Sequence, residues 1–151
     1  MPMTVRGATP ADAAVIVDFN RRLAEESEGK QLDLAVLRPG VERALADPAK
    51  CLYFVAEDDG QAIGQMMITY EWSDWRNGWI WWIQSVYVRA EARRRGVFKA
   101  LFDHVRQTAQ RTGDVVALRL YVEKENETAQ RTYHRLGLDS TGYIVLERCP
   151  L

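Results

Sequence analysis

Val86-Tyr87-Val88-Arg89-Ala90-Glu91-Ala92-Arg93-Arg94-Arg95-Gly96-Val97-Phe98-Lys99-Ala100-Leu101 is the stretch from which the rest of the chain is read. A β-rich run ends at Val88, a short loop carries three arginines and a glycine, and a helical pattern begins. The first N–H groups of a helix lack partners inside it and lie at its positive dipole end, so such a junction can hold phosphate. Gly96, with no Cβ, lets the backbone approach a pyrophosphate closely. From Arg89 to Arg111 there are seven Lys or Arg against two acids, a net +5 inside a 151-residue chain of net −1. A surplus this local suits a small polyanion, whereas DNA binding is usually marked by a broad basic face. The other reading is a solvated arginine cluster, which the dipole opposes weakly because cations fit better at helix C-termini. A Walker-type loop is excluded, since spaced glycines and Gly-Lys-Ser/Thr are absent.

Outward from this junction the chain reads as a mixed α/β fold. On the N-terminal side, Thr4 to Gly7 is a short strand, and Thr9-Pro10-Ala11-Asp12 starts a helix through a hydroxyl cap and an early proline. Ile16, Phe19 and Leu23 recur at helical spacing, and the polar stretch Glu25 to Asp33 reads as a loop. Pro39 is expected to open a short second helix, with Val41 and Leu45, that stops before Pro48. Cys51 to Glu57, Ala62 to Trp72 and Trp79 to Val88 read as an antiparallel meander, turned at Asp58-Asp59-Gly60 and Asn77-Gly78. On the C-terminal side, Arg94 to Thr112 is helical, with Val97, Leu101, His104, Val105 and Thr108 on one face. Val115 to Val122 alternates as a strand, Asn126 to Leu136 is a helix ended by Gly137, and Tyr143 to Glu147 is a last strand. A single domain spanning 1–151, with helices covering a sheet, is the expected organisation.

Composition narrows the function classes. Hydrophobic residues are 47% and charged residues 27%, the mix of an ordinary globular protein. Net charge gives the whole molecule no drive toward nucleic acid or an anionic membrane. There is no 18-residue apolar run and no signal-peptide core, so a cytoplasmic location is expected. Cys51 and Cys149 form no spacing motif and read as reduced, structural thiols; no metal is expected.

The second informative stretch is Glu123-Lys124-Glu125-Asn126-Glu127-Thr128-Ala129-Gln130-Arg131-Thr132-Tyr133-His134-Arg135-Leu136-Gly137-Leu138. With it, the chain resembles the GCN5-related N-acetyltransferase superfamily. Arg93-x-x-Gly96-x-Phe98 is similar to that family's Gln/Arg-x-x-Gly-x-Gly/Ala pyrophosphate loop. Asn126-x-x-Ala129-x-x-x-Tyr133-x-x-x-Gly137-Leu138 is similar to its Asn-x-x-Ala-x-x-x-Tyr-x-x-x-Gly-Phe signature. The element order matches along essentially the whole chain.

The resemblance implies a central mixed, mostly antiparallel sheet of six to seven strands flanked by about four helices. The sheet is expected to splay between the strands ending near Val88 and Val122. Acetyl-CoA, as cosubstrate, is implied in that gap, with pantetheine pairing to the backbone of Val86, Tyr87 and Val88. Its pyrophosphate is implied on Arg93 and the amides of Arg94, Arg95, Gly96, Val97, Phe98 and Lys99. Asn126 and Tyr133 are implied beside the thioester, with Ala129 among the cofactor-contacting residues. The implied reaction is direct attack by a primary amine of a small molecule or peptide in a ternary complex. A tyrosine hydroxyl near the sulfur can protonate the departing thiolate, which casts Tyr133 as general acid. Tyr133 lies seven residues, about two helical turns, from Asn126, so the two share a face. Asn126 also reads as a plain helix cap, and Tyr133 as a core tyrosine.

The pattern departs from the family at two places. Phe98 stands where Gly or Ala is usual, which implies an altered pocket. Gln84 stands near the place where many relatives carry a glutamate base. Glutamine cannot take the proton, though it can hold a relaying water, with Glu71 or Glu26 accepting the charge. Deprotonation in solution is the other route, slow for a lysine-like amine with a pKa of about 10.4. These departures motivate the alternative of a catalytically silent acyl-CoA-binding or sensing domain, while nucleic-acid binding rests on the arginine run alone. On the acceptor side, Glu26 and Glu71 are candidate substrate-binding acids near Trp72, Trp75, Trp79, Trp81 and Trp82. Trp79 and Trp81 are expected on one face of their strand and Trp82 on the other; an exposed share could form a homodimer face. Polyamine, aminoglycoside, amino acid and protein N-terminus all fit this reading of the acceptor.

Overall fold

The computed structural model describes residues 3–151. The chain folds as two compact units, one ending at Leu120 and the other spanning Tyr121–Leu151. The first contains strands β1 (Thr4–Gly7), β2 (Leu52–Asp58), β3 (Gln61–Ser73), β4 (Gly78–Val88) and β5 (Val115–Leu120), with helices α1 (Ala13–Glu28), α2 (Leu34–Ala46) and α3 (Val97–Thr112). The strands lie in the order β1-β2-β3-β4-β5; all neighbours are antiparallel except β4 and β5, which are parallel. A parallel pair needs a crossover, and α3 supplies it. The result is the expected mixed, mostly antiparallel sheet flanked by helices.

The strand count differs. Five strands are present among the described residues, not six or seven. Tyr143 to Glu147 has no regular structure, and Tyr143, Ile144, Val145 and Leu146 are 67–85% exposed. Apolar β-branched residues make a segment able to pair, but a strand also needs a neighbouring ladder, which local pattern does not report. Helix boundaries shift as well: α3 begins at Val97 rather than Arg94, because Arg94 and Gly96 take left-handed φ of +64° and +79°. Helix α1 continues through the expected loop to Glu28, held by Arg21–Asp18 and Arg21–Glu25 ion pairs, and ends where Gly29 adopts φ +63°. Helix α2 begins at Leu34 rather than at Pro39, because the Asp33 side chain accepts from the Ala35 N–H and caps the earlier turn.

Helix α3 buries Val97, Leu101, Phe102, Val105 and Ala109, a 3–4 residue spacing that gives one apolar face. Its start is seated on β3 at Gly64, where a Cβ would come within 2.9 Å of Val97 Cγ1 and 3.0 Å of the Tyr87 carbonyl. That close approach brings the end of β4 beside the beginning of α3. Helices α1 and α2 form a second cluster with the sheet, around Ile16, Val17, Val41, Cys51 and Tyr53. Cys51 is buried, Cys149 is exposed, and neither forms a disulfide.

The N-terminal strand is pinned by charge. Arg6 donates to both oxygens of Asp12 at 2.8 and 2.9 Å and to Glu57 at 2.7 Å, while Asp12 also accepts from the Thr9 N–H at 2.7 Å. Arg6 holds the Asp12 carboxyl below the usual carboxylate range, against the opposing effect of its burial. A lowered carboxylate pKa stabilises the fold above its unfolded value of about 3.9 and loses that contribution as pH falls through the folded value. Asp12→Asn is therefore expected to cost about 2 kcal/mol at pH 7, as for hydrogen bonds to a charged partner. Denaturant titrations at pH 7 and pH 3 should find that penalty shrinking with acidification; a constant penalty would contradict the assignment.

In the second unit, α4 (Glu127–Arg135) is capped by Asn126, whose Oδ1 accepts from the Ala129 N–H at 3.1 Å. It ends with the Leu138 N–H on the Tyr133 carbonyl and the Gly137 N–H on the His134 carbonyl, both 3.0 Å, with Gly137 at φ +88°. These are the two bonds of a Schellman stop, and the glycine is needed for the left-handed turn.

Candidate functional site

Strand β4 changes partner along its length. Against β5 it pairs from Trp79 to Ile83, where the register ends at Ile83–Leu120. Against β3 it continues to Val88, through a bulge in which Ser85 and Val86 together face Met66 and Ser85 takes φ +50°. Gln84 to Val88 therefore lie beyond the end of the β4–β5 ladder. Strand β5 ends at Leu120 rather than Val122, so this part of β4 has no β5 partner. A strand segment without a ladder partner on one side can pair with an added extended chain.

The loop that follows leads into the start of α3. Gly96 caps α3 with φ +79°, and Arg94 also sits left-handed at φ +64°. A non-glycine residue held there carries about 1–2 kcal/mol of strain, a cost that tends to be kept at functional sites. The Gly96 cap position makes no side-chain hydrogen bond to α3, and the first amides of a helix point out of its N-terminal end. The basic residues divide. Arg95 pairs with Asp58, Lys99 with Asp103 at 2.6 Å, and Arg89 donates to the Ala62 carbonyl at 2.8 Å while lying over the Phe19 ring. Arg94 alone of the loop's three arginines has no ion pair among the described residues, and it is exposed. The Phe98 ring packs toward Phe102 one turn on, with centroids 6.2 Å apart.

Glu26, at the end of α1, is committed to this junction. It accepts from Arg93 at 2.6 Å and from the Tyr87 hydroxyl at 2.5 Å, and Arg93 also donates to the Val88 carbonyl at 3.0 Å. Arg93 and Tyr87 pull the Glu26 carboxyl below its ordinary pKa; burial, with help from Glu26, pushes the Tyr87 hydroxyl up. The clamp ties α1, β4 and the arginine loop together. Such an exposed pair contributes at most about 1 kcal/mol, so its effect is on geometry more than stability.

Glu71 lies elsewhere. It accepts from Trp82 Nε1 at 2.9 Å and stands 3.8 Å from Arg119, whose guanidinium lies over the Trp82 ring. Gln84, two residues on from Trp82, donates through Nε2 to Thr69 Oγ1 at 2.6 Å. That bond fixes the amide and leaves the Gln84 carbonyl oxygen as the acceptor. Trp79 and Trp81 both meet Tyr70, at 6.2 Å between centroids, on the face opposite Trp82. The two acids read together from sequence are thus divided between two places. Asn126, Ala129 and Tyr133 share α4 in the second unit, where Asn126 is the helix cap and burial raises the Tyr133 hydroxyl above its ordinary value.

Sequence reasoning passed over a polar group beneath α1 and α2. Gln65, fully buried, donates to Asn20 at 2.8 Å and to the Ser85 carbonyl at 2.9 Å, and Asn20 donates to the Tyr53 hydroxyl at 3.3 Å. These bonds hold the bulge from below. Asn20 had a legible signal, being a polar residue inside the apolar stripe of α1. The Ser85 bulge had none, since no glycine or proline marks it. Beside this group opens a cleft of about 620 Å3, floored by Tyr53, Met67, Thr69 and Ser85.

Comparison with known proteins places the chain in a class. The acetyltransferase (GNAT) family model matches residues 17–138, and the chain belongs to that family. No curated protein matches it. A possible acetyltransferase from Clostridium difficile 630 is 42% identical, with a TM-score of 0.93 over 100% of this chain and 99% of that one. A predicted acetyltransferase with acetyl-CoA, from Clostridium acetobutylicum, shares the fold at 20% identity and a TM-score of 0.79, over 97% of this chain and 96% of that one. Ribosomal-protein-alanine N-acetyltransferase from Brucella melitensis biovar Abortus 2308 does so at 17% and 0.80, over 98% and 99%. Among the described residues no helix is long and apolar enough to cross a membrane, and no cluster of ligand side chains could hold a metal ion.

Proposed function

We propose that the protein is an acetyl-CoA-dependent N-acetyltransferase acting on a primary amine by direct attack in a ternary complex. The observation that carries this is the continuity of two features: β4 running on past its β5 partner, and the arginine-bearing start of α3 directly after it. The first suits a pantetheine arm paired to Val86, Tyr87 and Val88 as an added strand. The second suits a pyrophosphate on the amides of Arg94 to Lys99, with Arg94 the uncommitted charge and Arg93 held in place by Glu26. The relative from Clostridium acetobutylicum, described with acetyl-CoA, supports the same donor.

In the step itself, the neutral amine attacks the thioester carbonyl, the C–S bond breaks, the amine nitrogen releases a proton to solvent water, and the thiolate takes a proton from Tyr133, which solvent then restores. The Tyr133 hydroxyl is protonated at neutral pH, as a general acid must be, and burial raises its pKa further. Asn126 acts as helix cap and, through its Nδ2, as a donor beside the cofactor. The Gln84 carbonyl accepts a hydrogen bond from the amine or from a water relaying its proton. It cannot hold the proton, and this is the observation that favours the second reading, a silent acyl-CoA-binding domain. A thiol-release assay with acetyl-CoA and an amine panel separates the two: turnover supports the enzyme, and binding without release on any amine supports the silent domain. Gln84→Glu adds a carboxylate that is ionised above about pH 4.3. The variant is expected to raise kcat/KM at pH 6–7, where amines are mostly protonated; an unchanged profile would remove Gln84 from the amine's proton path.

A further inference from the structure

The cleft between α1, α2 and the sheet says what kind of amine this site takes. The inference rests on the acetyl-transfer reading above. The floor is polar at Asn20, Tyr53, Thr69 and Ser85, and Ser85 is the bulge residue of β4 at the edge of the segment that lies beyond the β5 ladder. The walls are apolar: Leu23 and Ala24 from α1, and Val36, Leu37, Val41 and Ala44 from α2. The mouth is apolar as well, with Leu32 37% and Val36 70% exposed. Only two charged side chains line the cleft, one of each sign, and each has an opposite partner: Glu28 with Lys30 and Lys50 with Asp47. The remaining acids of α1 are also engaged, Asp18 and Glu25 with arginines of the same helix and Glu26 with Arg93.

We propose that the acceptor is a monoamine carried on a compact apolar body, such as an arylalkylamine or the amino end of a residue with a large aliphatic or aromatic side chain, and not a polycation. The apolar body fills the space between α1 and α2, and the amino group reaches the polar floor at Ser85 and Thr69. A volume of about 620 Å3 lies within the range of about 300–1,000 Å3 usual for small-molecule sites. A polyamine or aminoglycoside would bring several charges to walls that offer no uncommitted acid, and each would go undersolvated. The same walls supply what Gln84 cannot. An amine taken out of water into an apolar cleft has its charged form disfavoured, so its neutral, nucleophilic form is reached nearer neutral pH.

Gly40 gives the test variant. It lines the cleft on α2, its φ is not left-handed, and a Cβ there meets nothing within 4 Å. A side chain at Gly40 enters open space, and replacing a helical glycine by itself stabilises the helix. The experiment measures CoA release from acetyl-CoA with 2-phenylethylamine and leucinamide, against spermidine and kanamycin, for the native protein and Gly40→Phe. Expected is a kcat/KM for the apolar amines at least about tenfold above that for the polycations, the scale on which a hydrophobic pocket discriminates. Gly40→Phe should lower it by a similar factor through KM, leaving the acetyl-CoA Kd unchanged. Higher kcat/KM with spermidine or kanamycin, or no effect of Gly40→Phe on the apolar amines, overturns the inference while the transferase reading stands. If no amine turns over, the same four are titrated into the CoA complex: binding of an apolar amine that Gly40→Phe abolishes supports the inference, and its absence overturns it. Failure of acetyl-CoA itself to bind overturns the donor reading and this inference with it.

Discussion

Gly96→Glu is expected to abolish acetyl-CoA binding, with Kd rising by about 100-fold or more, equivalent to about 2.7 kcal/mol. The glycine caps α3 at φ +79°, directly ahead of the helix amides, and a Cβ there meets nothing within 4 Å. A glutamate would project a negative charge into the space that a pyrophosphate would fill and would itself draw on the positive helix end. Part of any effect comes from strain, because a non-glycine residue in this conformation costs about 1–2 kcal/mol. Gly96→Ala isolates that part: it should lower stability by a similar amount in a denaturant titration yet retain most of the affinity. If Gly96→Glu is folded by circular dichroism and still binds acetyl-CoA as well as Gly96→Ala does, the pyrophosphate lies elsewhere.

Tyr133→Phe should lower kcat by about 100-fold, the lower end of what a positioned acid contributes, with the acetyl-CoA Kd within about twofold of native. Because burial raises the hydroxyl's pKa, the acid form persists above the ordinary tyrosine value of about 10, and kcat should fall only as pH rises through the raised value. Tyr133→Phe should lose that alkaline limb as well as the rate. A merely structural tyrosine would change stability without changing the shape of the pH profile. An unchanged rate removes Tyr133 as the acid.

Much of the fold was legible because it is local. The meander follows from two turns whose residues tolerate left-handed backbone, Asp59-Gly60 and Asn77-Gly78; Asp59, Gly60 and Asn77 all take positive φ. The centre of the α3 face, Val97, Leu101 and Val105, follows from spacing, whereas Phe102 and Ala109 are buried beside it where His104 and Thr108 were expected. The caps of α4 likewise follow from Asn126 and Gly137, each doing what its residue type favours. What was illegible depends on partners distant in sequence. Nothing near Glu26 announces that Arg93, 67 residues on, will claim it. Pro39 suggested a helix start because proline favours a first turn, yet an Asp33 cap six residues before the proline won. The apolar run at Tyr143 to Glu147 promised a last strand for which no ladder forms among the described residues. The surroundings of the candidate acceptor acids were illegible for the same reason: Glu26 meets Arg93 and Tyr87, and Glu71 meets Trp82 and Arg119, all distant in sequence.

Calorimetric titration of acetyl-CoA and of free CoA into the native protein tests the central claim most directly. A donor site at the β4–α3 junction predicts one-to-one binding of both, with a Kd in the micromolar range and weakening as salt screens the phosphate contacts. No binding of either ligand to a folded protein would contradict the assignment of that junction, and with it the proposed transferase.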